Sequence, residues 1–101
     1  MATKFKDFIR DLENEAAKEG PQAVEQLKAF RTHFRIGREL AQARKRLRLT
    51  QQQLAKRADI DQAEVSNIER GVANPTFNTL SAVVSAVGME IALKRSRRRS
   101  A

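Results

Sequence analysis

Five residues near the middle of the chain, Gln62, Ala63, Ser66, Asn67 and Arg70, have side chains suited to reading nucleic-acid bases. On a helix their spacing makes one continuous stripe. Gln and Asn can bond bidentately to adenine, Ala can meet a thymine methyl, and Arg suits guanine or phosphate. A stripe facing only water usually carries Lys and Glu in these places. Other chemistry is poorly supplied. There is no Cys and a single histidine, His33, so no metal site, cofactor or His-based triad is expected, and His33 reads as a surface or packing residue. A basic ribonuclease would need Arg, Lys, His or Tyr clustered on a sheet floor to stabilise phosphoryl transfer. This chain has no Tyr and one strand-like segment, so an enzyme is not expected.

To hold the stripe outward, the chain needs a helix braced from behind, and residues 50–71 provide the pattern. Thr50 followed by Gln53 forms a capping-box signal, and Asp61 followed by Glu64 forms a second. Only "RADID" separates the two helical patterns, so the helices must cross steeply. Ala55 and Ala58 are small enough for that crossing. Leu54, Ile60, Val65 and Ile68 make the buried side, and Gly71 is placed to end the second helix in a left-handed conformation. This is helix-turn-helix geometry. The first of the two helices also points free N–H groups outward beside Gln51, an arrangement suited to phosphate. Lys45, Arg46, Arg48, Lys56 and Arg57 lie close by in sequence and can add phosphate contacts.

The flanking patterns are helical up to residue 88. Phe5, Phe8, Ile9, Leu12 and Ala16 form one stripe, ended by Gly20-Pro21. A second pattern runs through Val24, Leu27, Phe30 or Arg31, and Phe34. It either breaks near Gly37 or continues along Ile36, Leu40, Ala43 and Leu47, since one glycine costs a helix only about 1 kcal/mol. The last helix begins at Thr76 or Phe77, runs through Leu80, Val83, Val84 and Val87, and stops at Gly88. "MEIALK" then alternates Met89, Ile91 and Leu93 against polar neighbours, which is strand periodicity. The end, "RSRRRSA", is basic and low in complexity. Its Arg97, Arg98 and Arg99 either reach phosphate or stay solvated.

Net charge is +8, and its distribution is informative. Residues 1–34 hold six basic and six acidic residues, while residues 35–101 hold 14 basic and six acidic. A polyanion partner is therefore expected for the C-terminal two-thirds only. No apolar run approaches a membrane span, no signal-peptide pattern opens the chain, and zero cysteines fit a reducing cytoplasm.

Taken in order, Thr50-Gln51, Leu54-Ala55, Val65-Ser66, Ile68-Glu69-Arg70-Gly71, Asn74-Pro75, Leu80 and Gly88 resemble the helix-turn-helix of the phage Cro and repressor class, the XRE family. The resemblance covers about residues 36–88. It implies that Gln51 contacts phosphate or base at the groove edge, that Gln62, Ala63 and Asn67 face bases, and that Ser66 lies at the protein–DNA boundary. It also implies an ion pair between Arg44 and Glu69 that braces the recognition helix. Asp59 departs from the family, which usually has Gly at this left-handed turn position; Asp tolerates that conformation better than most residues.

The expected fold is thus all-α: a lambda repressor-like bundle of about five helices with an N-terminal helical extension and a short C-terminal strand. A lone strand leaves unpaired backbone groups, and pairing Met89, Ile91 and Leu93 with a second copy would satisfy them. Such a homodimer would set two recognition helices about 34 Å apart on a palindromic double-stranded DNA operator. Three regions are expected: residues 1–34 as a helical segment, 35–94 as the DNA-binding domain with its strand, and 95–101 as a flexible tail. Residues 1–34 are too few to build a core alone. They either pack on their own domain or bind a partner through Phe5, Phe8, Ile9 and Leu12, with Asp7, Asp11, Glu13 and Glu15 as a polar rim. The whole arrangement resembles antitoxins of the HigA type. That resemblance implies a bacterial, cytoplasmic repressor that neutralises a RelE/HigB-like ribonuclease toxin and represses its own operon. The alternative is a free-standing or phage-derived regulator without a toxin.

Overall fold

The computed structural model describes residues 2–95, with side chains from residue 6 onward, and is all-α. Five helices follow one another: α1 Ala2–Glu19, α2 Pro21–Arg46, α3 Gln51–Ala58, α4 Gln62–Glu69 and α5 Phe77–Ala86. Leu40 and Ala43 of α2, Leu54 and Ala55 of α3, Val65 and Ile68 of α4, and Val83 with Val87 at the end of α5 form one buried core. Leu54, Val65 and Val83 are its fully buried centre. The small residues expected at the α3–α4 crossing are there: Ala55 is buried and Ala58 packs against the core.

α2 settles the question left open at Gly37 by running unbroken for 26 residues, across the expected 34/35 boundary. Gly37 is buried, and a Cβ added there would stand 2.4 Å from the carbonyl oxygen of Ile68 and 2.6 Å from that of Glu69. Its missing side chain lets α2 lie directly on the backbone at the end of α4. Gly71 does the same from the other side at φ +76°, where a Cβ would stand 2.9 Å from the Phe34 Cα. The middle of α2 is therefore a strut against the C-terminal end of α4.

Threonine side chains cap the starts of α3 and α5. Thr50 accepts from the Gln53 N–H at 3.0 Å, and the Gln53 side chain accepts from the Thr50 N–H at 2.8 Å, closing the capping box. Thr76 starts α5, its hydroxyl accepting from the Thr79 N–H at 3.1 Å. Asp61 has the N-cap backbone geometry, but the expected side-chain cap is not made. Its exposed carboxylate is in water, and solvent can serve an open first turn. At their C-termini α2, α3, α4 and α5 all close with paired 6→1 and 5→2 bonds, for example Val72 N–H to Asn67 O and Gly71 N–H to Ile68 O, both 3.0 Å. The left-handed residue at these ends is Gly71 or Gly88 for two helices, but Arg48 (φ 60°) and Asp59 (φ 58°) for the others.

α1 packs chiefly on α2, with Ile9 and Ala16 buried and Glu13 ion-paired to Arg31 across the two helices. The Phe5 side chain lies outside the described residues. The expected C-terminal strand is not formed in the single chain: residues 89–95 carry no regular secondary structure, and no strand is present among the described residues. A β ladder needs a neighbouring edge, and a single copy of this chain offers none. Met89, Ile91 and Leu93 are consequently exposed, Leu93 at 98%. Arg97, Arg98 and Arg99 lie outside the described residues.

Candidate nucleic-acid interface

α4 is short, and its two faces divide cleanly. Val65 and Ile68 go into the core, while Gln62, Ala63 and Arg70 are exposed and Ser66 and Asn67 are half-buried. The five residues of the stripe therefore share the outer side of one element, as helical spacing requires. Arg70, at the C-cap, donates from Nη2 to the Asn67 Oδ1 at 2.6 Å. The spacing alone did not single out this link, although residues three apart on a helix are neighbours.

Behind the stripe, Arg44 and Glu69 meet in a nearly enclosed pair. Nε of Arg44 donates to Oε2 of Glu69 at 2.6 Å, Nη2 to Oε1 at 3.0 Å, and Nη1 to the Leu49 carbonyl at 2.7 Å. The two side chains are only 10% and 6% exposed. The hydrogen bond to Glu69 raises the Arg44 pKa above its ordinary value, against desolvation and aided by the charge of Glu69. A planar guanidinium and a carboxylate held bidentately fix both position and orientation. This pair ties the end of α4 to α2.

Gln51 joins the same network. Its Nε2 donates to Glu69 Oε1 at 3.0 Å, so its amide is anchored at the start of α3 with its orientation fixed. The sequence placed Gln51 at phosphate or base at the groove edge; its bond to Glu69 depends on how closely α3 approaches α4, which spacing does not encode. Lys45, Arg46, Arg48 and Lys56 are exposed and form no ion pair among the described residues. Arg57 is diverted: its Nη1 reaches the Ala86 carbonyl at 3.4 Å, at the end of α5. It is a poorer candidate for phosphate than its neighbours.

Among the described residues, no group of acidic or imidazole side chains is arranged to hold a metal ion. No described helix is long and apolar enough to cross a membrane. Of the candidate partner-binding residues, Ile9 is buried within the chain, Leu12 is half-buried and Phe8 is 54% exposed. Leu12, Ala16, Ala23, Leu27 and Phe30 line a groove between α1 and α2, with Glu15 and Glu19 at its edge.

Residues 40–93 match the family described as helix-turn-helix. An immunity repressor protein of Bacillus phage phi105 is 38% identical over 56 residues, which is 55% of this chain and 39% of that protein. The chain thus spans well under half the length of this relative. No solved structure gives a significant match.

Proposed function

The chain belongs to the helix-turn-helix family, in its XRE-like form, and from that premise we propose that it binds a specific double-stranded DNA operator and represses transcription. In this reading it is a regulator and not an enzyme. The observation that carries the proposal is the stripe of amide, methyl and guanidinium groups on the outer face of α4. That helix is held in place by Gly37, Gly71 and the Arg44–Glu69 pair. Gln62, Ala63 and Asn67 read base edges, and Ser66 lies at the boundary. Gln51, Arg46, Arg48 and Lys56 hold phosphates. Two copies joined through Met89, Ile91 and Leu93 would place two α4 helices on successive major grooves of a palindrome. Similarity to a phage immunity repressor supports the repressor role.

A finer role divides into two readings. In the first, the chain is the antitoxin of a HigBA-type module, and residues 1–34 bind a RelE/HigB-like toxin. The exposed Phe8 and the α1–α2 groove, which lie outside the family match, support it. In the second, it is a free-standing or phage-derived regulator, which the immunity repressor relative supports. Both require DNA binding, tested by titrating the full chain against its own upstream region and a scrambled duplex. The upstream duplex should bind about 10³-fold more tightly, and equal affinity for the two would contradict the proposal. Co-expression with the neighbouring gene product separates the finer readings. Co-purification that Phe8→Asp abolishes favours the antitoxin, and no complex favours the free-standing regulator.

A further inference from the structure

The DNA-reading function proposed above does not say which base each side chain selects, and one contact on α4 constrains that choice. Arg70 donates to the Asn67 Oδ1 at 2.6 Å. A guanidinium has donors only, so this contact fixes which way the amide faces: the oxygen meets Arg70, and the two Nδ2 hydrogens are left for a ligand.

An unconstrained Asn reads adenine by accepting from N6 and donating to N7. Here a cation already sits at the oxygen that would accept. An approaching adenine would bring its own amino N–H groups toward that positive charge. Guanine presents two acceptors instead, O6 and N7. Both suit the donors that Asn67 Nδ2 and the remaining Arg70 N–H groups provide. Among the described residues Arg70 forms no ion pair, and the carboxylate beside it in sequence, Glu69, is engaged by Arg44 and Gln51. We infer that Asn67 and Arg70 act as one donor unit that selects guanine in the operator, with Arg70 as the residue that sets this preference. The inference rests on the DNA-reading function and adds the identity of one base to it.

Selection from a randomised duplex pool tests it, using the full-length wild type, Asn67→Ala and Arg70→Ala. The position that Asn67→Ala relaxes is the one Asn67 reads. There the wild type should prefer guanine over adenine by about tenfold or more. Arg70→Ala should bring adenine to parity or beyond at that position and leave the other preferences in place. Adenine at that position in the wild type overturns the inference, as does an equal weakening of all sequences by Arg70→Ala. Either result would leave base reading by α4 intact. Enrichment of no sequence by the wild type is a different outcome, which removes the proposed function and this inference with it.

Discussion

Glu69 accepts two hydrogen bonds from Arg44 and one from Gln51, and its side chain is only 6% exposed. Removing one member of such a pair leaves the other charge with little water and no counterpart. Glu69→Ala should therefore destabilise the chain by about 3–5 kcal/mol, read as a shift in the urea midpoint at constant slope. Replacing both residues with apolar ones of similar size, Arg44→Met with Glu69→Leu, should recover most of that loss. A double variant as unstable as Glu69→Ala would show that the pair does more than satisfy itself. Resemblance to the family was enough to name this pair. The Gln51 bond was not legible, because it joins residues 18 apart that meet only when α3 lies against the end of α4. Arg48 was missed as a left-handed helix end for a simpler reason: that conformation is expected of Gly or Asn, whereas here the turn is held by the Leu49 N–H on the Arg44 carbonyl and by Arg44 Nη1 on the Leu49 carbonyl.

At the scale of helices, the capping box at Thr50, the small residues at the α3–α4 crossing and the stops at Gly71 and Gly88 all lie where their chemistry predicts. Thr50→Ala should cost about 1 kcal/mol, since it strands an N–H of the first α3 turn. α2 is the element that sequence reading left undecided. Periodicity weighed Gly37 by its cost to a helix, whereas the structure uses the space that its missing side chain leaves. Gly37→Ala gains about 1 kcal/mol of helix propensity. It also forces a methyl to within 2.4 Å of a backbone oxygen that cannot swing aside. The clash should win, with a net loss of about 1–3 kcal/mol and a lower thermal midpoint. An unchanged or higher midpoint would mean that α2 can move off α4 freely.

Over the whole molecule, the net charge and the α1–α2 groove lie in different parts of the chain. The neutral residues 1–34 carry the α1–α2 groove, and the +8 lies in residues 35–101 with α4. The all-α bundle could be read from the sequence because each helix has its own period and ends. The C-terminal strand could not be settled that way, since alternation identifies a segment able to pair and not the edge it pairs with. Ile91, 41% exposed in the single copy, is the place to test the proposed dimer. Ile91→Lys should lower the dimer fraction in sedimentation and weaken operator binding while leaving helical content unchanged. A mass independent of this substitution would remove the segment from the interface.

Whether the outer face of α4 reads bases is decided by titrating the wild type and Gln62→Ala against an operator duplex and a scrambled duplex at one salt concentration. Gln62→Ala should lose about 1–3 kcal/mol on the operator and almost nothing on the scrambled sequence. Equal losses on the two duplexes would mean that Gln62 touches only the backbone, and α4 would then be a phosphate-binding helix and not the reader of sequence.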